Sequence, residues 1–351
     1  MILILHKINQ IIINSQGCPP TPEEGVNGNK CEFLSLPQAY SPFGGRGANL
    51  RNFRILNFLF LHKRHLPFHI KGCNLIAPLF IVLLLILLNG CGKENPVPAY
   101  LHIPSFSFSA KNTEGSSSQK ITDAWVYVDG QINGVFVLPA TLPVIELGQH
   151  EISVFPGIRN NGTRSNPIIY PLYNSFKIKM DLKAGKIDTI RPATTYISNA
   201  EFKIMENFEN GNIFRVDRDN NSAIKFNILD GFEGKSGQIV LTKANPIMEK
   251  ASIIRTQLSE SAENIYLELN YKTEAALSVG LVGSDANNTN GLATYKIVLF
   301  PNKEWNKTYI NLTNEAKDLK KVDFQITFQS LLPDSLSTAT IWIDNVKLIQ
   351  K

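Results

Sequence analysis

Hydrophobic side chains follow two different patterns along this chain. Residues 75–88 form an unbroken apolar run, LIAPLFIVLLLILL. At a rise of about 1.5 Å per residue this run would make a helix roughly 21 Å long, which is short for a bilayer core of about 30 Å. From residue 119 onward, short segments alternate apolar and polar residues and end in turn-forming residues. The pattern therefore predicts one apolar helix followed by an all-β chain.

The alternating segments fall into two groups. Residues 119–198 contain segments such as ITDAWVYVDG and NSFKIKMDLKAGK, which predict a small β-sandwich module. Residues 199–351 contain about nine such segments, which predict a larger two-sheet sandwich. One short helix is predicted within the second group, at residues 314–321.

The apolar run has the features of an export signal. Basic side chains between residues 63 and 71 precede it, as in the first part of a secretory signal. The LNGC sequence that ends it resembles the lipobox of bacterial lipoproteins of the Bacteroidota type. That resemblance implies cleavage between Gly90 and Cys91 and attachment of fatty acid to Cys91. A plain transmembrane anchor is the alternative.

The cysteine content and the net charge both change at Cys91. All four cysteines lie at or before Cys91, so the remaining 260 residues can form no disulfide and contain no thiol nucleophile. The first 91 residues carry eight basic and three acidic side chains, which accounts for the whole net charge of +5. The part after Cys91 is formally neutral, with 27 basic and 27 acidic side chains. Charge therefore predicts no nucleic-acid partner.

The N-terminal third divides into three segments. Residues 1–60 show no sustained period and are interpreted as an unstructured or mistranslated leader. Residues 61–91 would be the lipoprotein signal peptide. Residues 92–118 start with several prolines and end in GSSS, which predicts a flexible tether. Membrane lipid would then be a partner through Cys91, and the protein would lie at the outer membrane of the cell envelope, facing either the periplasm or the outside.

The small module resembles a known family. The order VDG at 128–130, a PAT stretch, and LGQHEISV at 147–154 is similar to the PEGA modules of surface-layer proteins and lipoproteins. The resemblance implies a structural or interaction module, so another envelope protein is a second predicted partner.

The larger sandwich resembles jelly-roll carbohydrate-binding modules and their galactose-binding-like relatives. The resemblance is carried by ENFENG at 206–211 and WIDNV at 342–346. It implies a jelly roll that binds glycan without catalysis. Such modules often hold a structural calcium ion where the first and last strands meet, and the matching motif positions here are Glu209 and Asp344.

Outward-facing aromatic residues are the candidates for contact with sugar. Along residues 305–312, alternation turns Ile310 inward and turns Trp305 and Tyr309 outward. The same alternation turns Tyr266 outward in an earlier predicted strand, ENIYLELNY at 263–271. The alternative is that these rings pack on neighbouring strands or under a loop.

Catalytic signatures are scarce after Cys91. The two histidines, His102 and His150, lie far apart, and the sequence contains no GxSxG, P-loop or HExxH motif. The sequence therefore predicts a membrane-anchored, non-catalytic glycan-binding protein rather than an enzyme. The alternatives are a structural partner of another envelope protein complex and a glycoside hydrolase, whose pair of carboxylates would leave no sequence signature.

Overall fold

A computed structural model describes residues 97–285 and 288–351 of the chain. The leader (residues 1–60), the signal segment (61–91) with Gly90 and Cys91, and the start of the predicted tether lie outside the described residues. Among the helices of the described residues, none is both long and apolar enough to cross a membrane.

The described chain is nearly all β-structure, as the alternation predicts, and it forms two domains that we define as residues 97–198 and 199–351. The first domain has strands β1 (Ala99–Ile103), β2 (Ser107–Phe108), β3 (Asp123–Val128), β4 (Gln131–Val137), β5 (Ala140–Val144), β6 (Gly148–Arg159), β7 (Pro167–Ile169), β8 (Phe176–Leu182), β9 (Ile187–Thr189) and β10 (Ala193–Thr194). The second domain has strands β11 (Glu201–Glu206), β12 (Val216–Asp217), β13 (Asn227–Asp230), β14 (Lys235–Thr242), β15 (Ile247–Ala251), β16 (Thr256–Gln257), β17 (Ile265–Thr273), β18 (Leu277–Asp285), β19 (Asn288–Leu299), β20 (Asn302–Asn311), β21 (Asp323–Leu331) and β22 (Thr338–Gln350), and helix α1 (Thr313–Leu319).

The first domain is built from three small sheets. One has the order β4-β3-β6-β7 with β8 also paired to β6, a second has the order β5-β1-β9, and β10 pairs with β2. In β3 the alternation places Ala124 and Val126 in the core, where both are fully buried. Asp129 and Gly130 connect β3 to β4 with positive φ angles of 48° and 81°, a conformation that suits a tight hairpin between twisted strands.

The second domain is a sandwich of two six-stranded antiparallel sheets. The first has the order β13-β14-β22-β17-β20, with β11 paired to β22, and the second has the order β12-β15-β21-β18-β19, with β16 paired to β21. One continuous apolar core draws side chains from both sheets, for example Leu267 and Ile341 from the first and Val279 and Ile326 from the second. This confirms the predicted all-β class, with two successive β-sandwich domains.

The predicted flexible tether is wrong from residue 99 onward. Ala99, Leu101 and Ile103 are fully buried in the core of the first domain, and β1 pairs with both β5 and β9. The five-residue alternation in AYLHI was obscured by the prolines on either side, which favour an extended linker when each residue is considered by itself. The first domain therefore begins about twenty residues earlier than predicted.

Candidate functional site

An open groove lies at one end of the second domain. Its volume is about 840 Å³, within the range of ligand-binding clefts. The lining residues come from the end of β17, the start of β20, β22 and the loop before β22, and they include Lys272, Glu274, Asn302, Lys303, Ser335, Ser337, Thr338 and Trp342.

Trp342 reaches this groove because of its position in β22. Ile341 and Ile343 are fully buried in the core, so Trp342 between them is on the outer face of the sheet. The strand register pairs it with Lys272 of β17. Nζ of Lys272 lies 4.7 Å from the centroid of the Trp342 ring, a distance typical of a cation–π contact.

Polar residues line the same groove as this indole. Glu274 Oε2 accepts a hydrogen bond of 2.8 Å from the backbone N–H of Thr340. Ser335, Ser337 and Asn302 are also among the lining residues. An aromatic ring beside hydroxyl, amide and carboxylate groups can contact a ligand that is apolar on one side and rich in hydroxyls at its edge.

Trp305 lies on the same sheet face. β20 pairs Asn306 with Tyr271, whose ring is part of the core, so the neighbouring Trp305 is on the outer face of the sheet. Its ring is half-buried against Phe232, with 5.8 Å between the ring centroids. Trp305 does not line the groove itself, and its contact with sugar stays a prediction.

The structure corrects the expectation that Tyr266 and Tyr309 are open to a ligand. Both point away from the core of the second domain, as the alternation of side chains along their strands predicts. They are nevertheless only 1% and 2% exposed. The first domain covers them, since the Tyr170 ring centroid lies 5.1 Å from that of Tyr266 and 4.8 Å from that of Tyr309. These rings are part of the interface between the domains.

A buried charge network lies in the same interface. Glu268, which is fully buried, accepts hydrogen bonds from the hydroxyls of Tyr170 at 2.8 Å and Tyr196 at 3.0 Å. Nζ of Lys307 lies 3.0 Å from Oε2 of Glu268 as an ion pair without hydrogen-bond geometry. Burial, followed by the Glu268 charge, raises the pKa of Tyr170 and Tyr196 well above the usual range, so both hydroxyls keep the protons that they donate.

Lys347 completes the network. Its Nζ donates hydrogen bonds to the carbonyl of Ser116 at 2.6 Å and to the hydroxyl of Tyr196 at 3.2 Å. Burial lowers the pKa of Lys347 to about 8. Ser116 and Tyr196 belong to the first domain and Lys347 to the second, so polar as well as apolar contacts join the two domains.

The structure places both predicted calcium ligands, Glu209 and Asp344, beside the turn at residues 233–235. Asp344 Oδ1 accepts the N–H of Asn345 at 2.7 Å and Oδ2 accepts that of Glu233 at 3.1 Å, while Glu209 Oε1 accepts the N–H of Lys235 at 2.6 Å. No group of three or more Asp, Glu, His or Cys residues in the described part of the chain could hold a metal ion. The calcium site at Glu209 and Asp344 stays a prediction from the resemblance.

Comparisons with known proteins give weak likenesses. No protein-family model and no curated protein sequence matches the chain. Among solved structures, a family 11 carbohydrate-binding module of a cellulosomal cellulase of Clostridium thermocellum is 13% identical, with 42% of this chain and 95% of that chain covered and a TM-score of 0.31. The adhesin domain of Lys-gingipain from Porphyromonas gingivalis is 13% identical, with 43% and 99% covered and a TM-score of 0.30.

A third similar structure is a carbohydrate-binding module of the β-sandwich superfamily described as promiscuous in specificity. It is 14% identical, with 64% of this chain and 84% of that chain covered and a TM-score of 0.28. TM-scores this low add nothing about the function of this chain, so the functional conclusion depends on the geometry of the groove.

Sequence reasoning missed Trp342 and Lys272 as site residues. The signal was present, because the alternation in TIWIDNV turns Trp342 outward as clearly as Trp305. The sequence motif assigns Trp342 only to the last strand of the predicted jelly roll. Its pairing with Lys272 needed the strand register, which the sequence does not show.

Proposed function

We propose that this chain is a non-catalytic glycan-binding protein that a lipid on Cys91 anchors in the cell envelope. The observation that carries the glycan-binding part is the open groove around Trp342. Its size suits a short stretch of oligosaccharide, and its aromatic ring and polar walls match the two kinds of surface on a sugar ring.

The chemistry of the groove favours particular sugars. The apolar face of a pyranose would stack against the indole of Trp342, and its hydroxyls would reach Asn302 and the serines of the wall. Lys272 and Lys303 also line the groove, against a single carboxylate, Glu274, among the described lining residues. The excess of positive charge favours glycans that carry carboxylates, such as those with uronic acids, over amino sugars.

Binding without hydrolysis fits the same lining. Glycoside hydrolysis ordinarily uses two carboxyl groups on either side of the scissile bond. Glu274 has no carboxylate partner among the described lining residues, and its Oε2 is already engaged by the N–H of Thr340. We therefore propose a role in binding rather than in cleavage.

The anchor is supported by the LNGC sequence after the apolar run. Each buried acyl CH₂ contributes about 0.8 kcal/mol, and stable attachment takes about two chains. A Cys91→Ser variant is expected to lose lipid labelling and to keep its signal segment, so its apparent mass should rise. Unchanged mass and unchanged labelling with fatty acid would contradict the anchor.

A glycan array probed with the full chain tests the groove. Trp342→Ala is expected to lower the signal at least about tenfold, the effect of removing an aromatic residue that contributes about 1.4 kcal/mol or more to binding. Trp125→Phe, in the first domain, is the matched control and should bind like the original chain. The proposal is wrong if no glycan binds, or if binding survives in Trp342→Ala.

A role as structural partner is the second candidate, and the edge strand β4 favours it. Val135 and Val137 on this strand are 39% and 62% exposed, and an edge strand offers unpaired backbone groups to another chain. Val135→Asp combined with Val137→Asp should abolish crosslinks to an envelope protein in whole cells if this surface is used.

A further inference from the structure

Large aliphatic side chains are concentrated at one end of the first domain. Their exposures range from 43% to 65%, values unusual for residues of this type in such proximity. We define the apolar tip as Val97, Ile132, Ile145, Leu147 and Ile187.

Strand pairing brings three of these residues together. β1 pairs with β5 so that Ala99 lies opposite Val144, which places Val97 and Ile145 at the same end. β1 also pairs in parallel with β9, with Tyr100 opposite Ile187. The turn before β9 lies against this end, since the backbone N–H of Gly185 donates to the carbonyl of Pro98 at 2.9 Å.

The other two residues reach the same end through the neighbouring sheet. β6 begins at Gly148, opposite Leu182 at the end of β8, so Leu147 lies beside the turn between β8 and β9. Ile132 is opposite Tyr127, next to the hairpin at Asp129. His150 links the hairpin to this end, with Nδ1 2.6 Å from Asp129 Oδ2 and Nε2 3.1 Å from the Leu147 carbonyl.

Most charged side chains around the apolar tip have a partner of opposite charge or a hydrogen-bond partner. Lys183 lies 3.6 Å from Asp181 and Lys186 lies 2.6 Å from Asp188, and Asp129 is held by His150. The end of the domain therefore combines exposed aliphatic groups with charges that are mostly paired, which suits the boundary between lipid headgroups and acyl chains.

The short segment between Cys91 and the first domain favours the bilayer as the surface that covers the apolar tip. The inference rests on the proposed lipid at Cys91, which is six residues before Val97. Six extended residues span at most about 20 Å. The headgroup layer on one side of a bilayer takes up roughly 5–8 Å of that length, so the start of β1 is held close to the acyl region.

We propose that the apolar tip inserts into the headgroup and upper acyl region of the membrane that holds Cys91. Insertion removes exposed aliphatic surface from water, which is favourable in proportion to the area buried. The first domain then stands on the bilayer in one orientation, and the second domain projects away from it. This differs from the predicted tether, which would let the domains swing freely.

Depth measurements on the lipidated full chain test the proposal. The chain is incorporated into vesicles of phosphatidylethanolamine and phosphatidylglycerol, with Ile187→Cys carrying an environment-sensitive fluorophore. Acylated Cys91 leaves no other thiol in the mature protein. Val137→Cys is the matched control, because Val137 is also 62% exposed and lies at the far end of β4 in the same domain. Ile145→Cys, at 65% exposure, is a second test position.

The label at Ile187 or Ile145 should be quenched by a lipid-attached quencher at least about threefold more than the label at Val137. Equal quenching at all three positions, with the protein still floating with the vesicles, would show that the apolar tip does not insert into the membrane and would leave the proposed lipid anchor intact. Self-quenching between labels at Ile187 without lipid quenching would identify a second copy as the occupant and would also overturn it. Failure to float at all would overturn both the anchor and the inference that rests on it.

Discussion

The hydroxyl of Tyr170 donates a hydrogen bond of 2.8 Å to Oε1 of Glu268 across the boundary between the two β domains. Both residues are fully buried, and a buried carboxylate is stable only when donors and a counter-charge surround it. The first domain supplies the hydroxyl donors, and Lys307 of the second supplies the charge. The carboxylate therefore depends on the two domains being docked.

Removing this carboxylate should destabilise the whole unit. Glu268→Ala leaves the buried ammonium of Lys307 uncompensated, and we expect a loss of about 3–5 kcal/mol in the free energy of unfolding. Urea unfolding monitored by fluorescence measures this loss. The control is Glu260→Ala, an exposed residue for which the expected change is within about 0.5 kcal/mol. Similar small changes in both variants would show that the network contributes little.

Asp344 should make stability depend on pH. Burial raises the pKa of this carboxyl from 3.8 to about 6, so the folded state holds its proton more tightly than the unfolded state. The resulting stabilisation is complete below about pH 4 and is lost as the pH rises through about 6. This corresponds to about 3 kcal/mol.

Comparison with Asp344→Asn isolates this effect, because the amide does not ionise. The stability of the variant relative to the original chain should rise by about 2 kcal/mol between pH 4 and pH 7. Unfolding curves at a series of pH values provide the measurement. Parallel stability profiles for the two proteins would contradict the raised pKa.

A methyl group at Gly280 should not fit. β18 and β19 change register between Val279 and Gly280, and a Cβ added to Gly280 would overlap the backbone carbonyl of Thr294. We expect Gly280→Ala to lower the free energy of unfolding by about 3 kcal/mol, the upper range of overpacking. Ser278→Ala on the same strand is the control and should change thermal stability little, whereas equal melting temperatures would contradict the close approach.

Glycine at position 320 should stabilise the end of helix α1. Lys320 caps this helix in the left-handed conformation, with φ and ψ both 48°, which costs free energy for any residue with a Cβ. Lys320→Gly should raise the free energy of unfolding by about 0.5–1 kcal/mol. Lys317→Gly, inside the same helix, should lower it by about 1 kcal/mol, so a change of the same sign in both variants would contradict this account.

Much of the second domain could be predicted from alternation. Because side chains alternate sides along a strand, the sequence predicts that Ile310 faces inward and that Trp305 and Tyr309 face outward. Ile310 is indeed in the core. The short helix was predicted at 314–321 and lies at Thr313–Leu319. These features depend on neighbouring residues in the chain, so local patterns contain them.

The candidate site could not be predicted in the same way. Tyr309 and Trp342 both point outward, yet Tyr309 is 2% exposed and Trp342 lines an open groove. The difference arises from the first domain, whose Tyr170 ring packs 4.8 Å from the ring of Tyr309. Contacts between residues more than a hundred positions apart leave no trace in the local pattern.

By itself, the sequence determined which side chains of each strand face a core, because a side chain in a pleated strand alternates sides whatever the strand packs against. It also contained the apolar run and the cysteine that predict an anchor. The tertiary structure alone decided which outward faces stay in contact with solvent. That outcome depends on how one folded surface docks on another, and here docking buried Tyr266 and Tyr309 and left Trp342 open.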